Sequence, residues 1–242
     1  MKPIIVEGRK SAEFKLAAAL LVYQSGMHAY ATRHGIERSG GAPTLGAGVP
    51  LTQSQLRTAL KSLGRVEGLS GWVGPEVLYI DTDTLVWWRP AAPRLVHFSS
   101  PAPIGKRAGV TPHPHLVFAV TRHHWYVAAL SAPANPGLRP GALSQLCHAP
   151  YFNVYDDTQI CTGNVKLPDE IGLQSCAGFE DAFFDSRFTH SNNRHVTRHP
   201  GGPLQLWAEL LDTKPTAFPA DALTPMDLTL GAWVKRITKG NQ

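Results

Sequence analysis

Apolar and polar positions change period several times along the chain, and each change predicts a new element. Residues 14–34 open with FKLAAALLVY, apolar almost throughout, followed by Gln24-Ser25-Gly26 and the alternating MHAYATRH. This reads as a hairpin, or as a short helix and then a strand, with the alanines leaving helix open over 12–20. Residues 35–50 (GIERSGGAPTLGAGVP) are rich in glycine and proline and predict loop. The clearest helix comes next. Thr52 and Gln55 have the spacing of a capping box. Leu56, Ala59, Leu60 and Leu63 then form one apolar stripe that ends at Gly64.

From Trp72 to Leu130 the pattern is that of strands. Val77–Ile80 and Leu85–Trp88 flank the turn DTDT, Leu95–Phe98 is a third run, and His115–Val120 and Trp125–Leu130 flank TRHH. Together they predict a meander of four or five strands. Trp87 and Trp88 are neighbours on one strand and must face opposite sides. One belongs to the core, and the other either docks a partner or meets a second packing layer. Residues 131–140 read as loop and 150–168 as an irregular segment. Phe179–Phe184 and Leu204–Leu211 have helical spacing, while Asp227–Arg236 fits either strand or helix. Helix, antiparallel meander, irregular cysteine loop and helices make an α+β chain with its helices segregated from the sheet.

With 242 residues there is room for one large domain with an extension. The expected division is an N-terminal extension over 1–50 and a core over 51–242. Hydrophobic content of 43% and charged content of 17% fit a soluble globular protein. The longest apolar run, residues 17–23, is too short for a bilayer. Mixed charges precede it and no cleavage pattern follows, so it does not read as a signal peptide. The expected compartment is therefore the cytoplasm, with no membrane association. The net charge of +5, without a block of like charges, permits an acidic partner but does not demand one.

Three cysteines are too few for a disulfide framework and read as reduced thiols. Cys147 and Cys176 have apolar neighbours and read as structural. Cys161 lies in PYFNVYDDTQICTGNVKLP, eight positions after Asn153, with a polar, turn-prone stretch between them. A thiolate is a strong nucleophile, and a side-chain amide can donate to the oxyanion formed when a thioester is attacked. Asp156 and Asp157 in the turn could orient or deprotonate an incoming amine, although turn aspartates usually cap their own backbone.

The nonapeptide N-V-Y-D-D-T-Q-I-C over 153–161 resembles the active-site signature of ubiquitin-conjugating enzymes. There a His-Pro-Asn tripeptide precedes a branched apolar residue, a turn, an apolar residue and the catalytic cysteine. Asn153, Val154, Ile160 and Cys161 match. Tyr151 and Phe152 replace His and Pro, and Thr158 stands where glycine is usual. Tyr151 can stand in for the histidine as a hydrogen-bonding aromatic. TLGAGVPLT (44–52), LVWWRP (85–90), CTGNVKLP (161–168) and FFDSRFTHSNN (183–193) extend the likeness over roughly residues 15–235. They resemble PRTRC system protein B, group D of the prokaryotic ubiquitin-conjugating-enzyme-like proteins. The resemblance implies a ubiquitin-conjugating-enzyme-like core acting as an acyl carrier, with Cys161 as thioester nucleophile and Asn153 as oxyanion donor. It also implies a cassette on plasmids or other mobile elements. Its neighbours would be a ThiF-like adenylating enzyme, a small ubiquitin-like protein, a JAB-type metallopeptidase and a ParB-related protein. His190, within the family-like FTHSNN, is expected near the cysteine loop.

Two other classes compete. One is a scaffold that binds the ubiquitin-like protein without carrying it. The other is nucleic-acid binding, suggested by Arg122, His123, His124 and Trp125 and by Arg187, Arg194 and Arg198 among histidines, but opposed by diffuse charge and the lack of a binding motif. Eleven histidines raise the question of metal, yet no zinc-ligand spacing occurs, and no cofactor is expected.

Overall fold

Turn chemistry at Gln24–Gly26 closes a hairpin in the computed structural model of the chain, which describes residues 16–26, 28–38, 42–63, 72–81, 83–131, 138–163 and 165–239. Strands β1 (Ala18–Ser25) and β2 (His28–Glu37) pair antiparallel, with Tyr23 opposite Tyr30 and their rings stacked at 4.7 Å. Residues 18–20 are therefore strand, and 12–15 lie outside the described residues.

The loop expected over 35–50 is corrected. Thr44–Pro50 forms a third strand, β3, on the free edge of β2. Its glycines serve the pairing. A Cβ on Gly48 would meet the His34 ring at 2.6 Å, so only glycine lets that ring lie across the strand. The His34 Nδ1 in turn lies 2.9 Å from the Gly46 carbonyl. Helix α1 (Gln53–Leu63) follows. Its capping box is as expected: the Thr52 N–H donates to Gln55 Oε1 (2.9 Å) and the Gln55 N–H to Thr52 Oγ1 (3.2 Å). Gly64 lies outside the described residues. These elements make one compact unit, Met1–Glu67; Gly68–Gln242 makes a second. The division falls after α1, whereas the sequence suggested residue 50.

In the second unit the single meander is replaced by two sheets. Strands β4 (Val77–Ile80) and β5 (Thr84–Arg89) form the expected hairpin. The next pair, β6 (Pro93–Ser99) and β7 (Lys106–Pro112), leaves that sheet. Strand β5 then pairs directly with β8 (Leu116–Thr121), which pairs with β9 (Trp125–Leu130). A short β10 (Gln145–Cys147) follows, then α2 (Cys176–Phe184), β11 (Arg187–Phe188), α3 (Gly202–Thr213), β12 (Pro225–Thr229) and α4 (Leu230–Lys239). The larger sheet runs β12-β10-β9-β8-β5-β4, and the smaller runs β11-β6-β7. Residues 227–236, open to strand or helix, supply both. The architecture is α+β, with mostly antiparallel sheets.

Both faces of the larger sheet are buried, which explains its unbroken apolar strands β8 and β9. One face shares a core with β6, α2 and α3, built around Trp87, Phe118, Phe183, Phe98 and Trp207. The other packs on α4 through Trp88, Tyr126, Trp233 and Ile237. Trp88 thus meets a second packing layer. Glu180, on α2, is buried among apolar groups and is held by Trp87 Nε1 (2.7 Å), Arg89 Nε (2.6 Å) and Arg94 Nη2 (3.4 Å). A buried carboxylate requires such partners.

Candidate active site

The segment carrying Asn153 and Cys161 folds as a closed loop against a strand edge. Strand β10 is so short that it pairs only with Ala129 and Leu130 of β9. The vacant half of β9 is taken by the loop. The Val127 N–H donates to the Thr158 carbonyl (3.0 Å), and the Ile160 N–H to the Trp125 carbonyl (2.7 Å). Within the loop the Tyr155 N–H donates to Gln159 O (2.9 Å), and the Cys161 N–H to Asn153 O (2.7 Å). The expected pair of residues is thus joined directly, backbone to backbone.

The turn geometry explains the departure at Thr158. Its φ is +75°, a left-handed conformation that glycine adopts freely and threonine at a cost of about 1–2 kcal/mol. Three bonds hold it there. Its N–H donates to Tyr155 O (2.9 Å), its carbonyl accepts from Val127, and its Oγ1 accepts from Trp233 Nε1 (2.8 Å). Asp157 caps the Gln159 N–H (3.0 Å), and Asp156 accepts from the Arg194 N–H (3.2 Å). Both aspartates therefore brace backbone.

Tyr151 is buried. Its hydroxyl lies 2.5 Å from His113 Nδ1, and its ring packs on Phe183, Phe188 and Trp207. Burial pushes its pKa well above the ordinary phenol value. The same desolvation lowers His113 to about 3, so this imidazole is neutral at physiological pH. His113 opens the stretch between β7 and β8, and its part here had no signal in the sequence. Phe152, in the place of the proline, packs edge-on against Phe98.

Asn153 is half-buried. Its Nδ2 donates to Ser186 Oγ (3.2 Å), while its Oδ1 is buried without a hydrogen-bond partner among the described residues. Cys161 is half-buried as well, unlike the enclosed Cys147 and Cys176. Burial, with Glu180 adding to it, raises Cys176 to about 11, the value of an inert thiol. Cys161 stands on a wall shared by two open clefts. The larger, about 680 Å³, is lined by Asn153, Asp185, Arg187 and His190, among others. The other, about 350 Å³, is lined by His123, His124, Leu167, Pro168 and Phe179. Tyr155, which sequence reasoning passed over, borders both beside Cys161. Hydrogen bonding to the Cys161 sulfur, then the charge of that sulfur, raises the Tyr155 pKa.

The structure thus brings Asn153, Cys161 and His190 to one cleft, and places Tyr151, Asp156 and Asp157 in supporting contacts outside it. Among the described residues no three His, Cys, Asp or Glu side chains converge as a metal site. No described helix is long and apolar enough to cross a membrane.

Comparison with known families names the class of this α+β chain. The chain belongs to prokaryotic E2 family D, whose model matches residues 55–226. Its role is in general terms ubiquitin-conjugating-like. No curated protein and no solved structure matches the chain.

Proposed function

We propose that Cys161 carries a ubiquitin-like protein as a thioester, accepted from a ThiF-like activating enzyme and passed to an amine. In this reading the core is ubiquitin-conjugating-enzyme-like, preceded by an N-terminal extension. The protein works in the cytoplasm within a PRTRC cassette of a plasmid or mobile element, alongside a JAB-type peptidase. One observation carries the reading: Cys161 lies between two open clefts, whereas the other two cysteines are enclosed.

The chemistry follows from the groups present. The Cys161 thiolate attacks the thioester carbonyl held on the activating enzyme; a C–S bond to Cys161 forms as the enzyme's own C–S bond breaks and its thiolate leaves. An amine then attacks the new thioester. Asn153 serves the oxyanion by releasing Ser186 and turning its amide to the reacting carbonyl, an interaction worth about 3–4 kcal/mol in comparable sites.

The deciding experiment mixes the protein with the ThiF-like enzyme, the ubiquitin-like protein and ATP. A thiol-sensitive adduct is expected with wild type and none with Cys161→Ala. Asn153→Ala is expected to load normally and to discharge to an amine roughly two hundred- to eight hundredfold more slowly. A binding role without thioester chemistry is favoured by a single contact, the commitment of Asn153 Nδ2 to Ser186. Wild type that binds the ubiquitin-like protein but forms no adduct with an active ThiF-like partner would establish that role instead.

A further inference from the structure

Ser186 is buried between two exposed charges, Asp185 and Arg187. Its hydroxyl accepts from Asn153 Nδ2 (3.2 Å) and donates to the Phe183 carbonyl (2.6 Å), which fixes this short stretch behind the cysteine loop. The helix α2 ends at Phe184, and Asp185 caps it through its backbone, N–H to Asp181 O (2.8 Å). Arg187 begins β11, paired to His97 of β6. Neither charged side chain is therefore on a loose loop. Both line the larger cleft together with Cys161. Among the described residues neither forms an ion pair, although Arg89, Arg94, Arg107 and Arg122 all do. Two opposite charges are thus displayed beside the candidate nucleophile on rigid backbone and left for something else to neutralise. In the smaller cleft the arginine, Arg122, is already paired with Asp83 at 2.9 Å.

We propose that the larger cleft selects, as acyl acceptor, a lysine whose sequence neighbour is acidic. Asp185 takes the lysine ammonium and Arg187 the neighbouring carboxylate. This deepens the carrier reading and rests on it. An ammonium at Asp185 first loses one proton to water. The nitrogen lone pair then attacks the thioester carbonyl, forming the C–N bond as the C–S bond breaks. The second nitrogen proton ends on the departing Cys161 thiolate, leaving an isopeptide and a free thiol. The cleft's arginine has no part in these bond changes. It sets which lysine arrives, and a guanidinium suits that task because its planar donors match a carboxylate.

The test uses three peptides, each with one lysine flanked by glutamate, alanine or arginine. They are offered to the thioester-loaded full-length protein, and titrated separately into the unloaded protein while backbone amide shifts are followed. The glutamate-flanked peptide should discharge the thioester roughly three- to fivefold faster than the alanine-flanked one, the ratio an exposed ion pair gives. The arginine-flanked peptide should be slowest. Salt should narrow the spread. Arg187→Glu should invert the order and Arg187→Lys should restore it, a pattern that mere structural damage does not produce. Asp185→Ala should slow all three. Equal rates for the three peptides, or an order unchanged in Arg187→Glu, would overturn the assignment. The titration separates this failure from that of the carrier reading. Shifts at Asp185–His190 that favour the acidic peptide, in a protein that never loads, would uphold the selectivity and remove the carrier role. Neither loading nor selective shifts would overturn both.

Discussion

Tyr151 and Tyr155 stand four residues apart and meet opposite surroundings. Both phenols have raised pKa values, for different reasons. Tyr151 is shut away from water, and its hydroxyl is paired with His113. Tyr155 is exposed, and the sulfur of Cys161 is what perturbs it. The difference shows how the loop is built. Its first residues are roots, driven into the aromatic cluster of Phe183, Phe188 and Trp207. Its middle residues, Tyr155, Asp156 and Asp157, are an exposed rim. A thiol can be both accessible and fixed only if the chain leading to it is anchored elsewhere.

The sharpest way to break this contrast is truncation at each tyrosine. Tyr151→Ala removes a buried aromatic from a close-packed cluster and should cost about 3–5 kcal/mol in denaturant unfolding. Tyr155→Ala should fall within about 0.5 kcal/mol of wild type. Comparable losses would mean that the two ends are not rooted differently. The next test is pH. His113 takes a proton in the unfolded chain below its ordinary value of 6.5, but in the folded protein only near 3. The unfolded state therefore binds more protons between those values, and stability should be full above pH 6.5 and decline as pH falls towards 3. The slope from this residue should be at most about 1.4 kcal/mol per pH unit. The difference between wild type and His113→Gln isolates it; parallel profiles would contradict it.

Thr158 follows the rim and is itself buried. Thr158→Ala leaves the Trp233 indole N–H unpaired and keeps the left-handed strain, a loss of about 1–2 kcal/mol. Thr158→Gly loses the same bond but sheds the strain, so it should be the milder change. The smallest effect is expected at the rim. Tyr155→Phe should leave stability unchanged and alter the rate of Cys161 alkylation roughly twofold, because thiol reactivity follows its local partners. An unchanged rate would detach Tyr155 from the sulfur.

How much of this was legible in the sequence depended on how local each cause was. The capping box at Thr52 and Gln55, the hairpins at 77–88 and 115–130, and the helices over 179–184 and 204–211 rest on neighbours in sequence, and they read correctly. Strand β3 was missed because its glycines answer to His34 and Glu37 across the sheet, which no local pattern records. Strand β7 was missed for a related reason: KRAGVTP looks polar, but it needs only one apolar face, and Gly109 lets α3 approach so closely that a Cβ there would sit 2.8 Å from Leu211. The departure of β6 and β7 into a second sheet is a tertiary choice made by Phe98 and its partners Phe152, Phe188 and Trp207. At the site, the spacing of Asn153 and Cys161 was visible, as was the turn between them. His113 was not, since it comes from a distant part of the chain and carries no motif; Asp185, Ser186 and Arg187 lay in the family-like FFDSRFTHSNN, but nothing local pointed them to the cysteine.

The bond from Trp233 to Thr158 spans 75 positions of sequence. That separation gives the loop a place in time as well as in space. A chain emerging from the ribosome at about 5–20 residues per second presents Thr158 roughly 4–15 s before the tryptophan that steadies it. During that interval β8 and β9 can already pair, yet the turn before Cys161 lacks one of its three restraints. The turn before the thiol is therefore completed well after the strands it rests on.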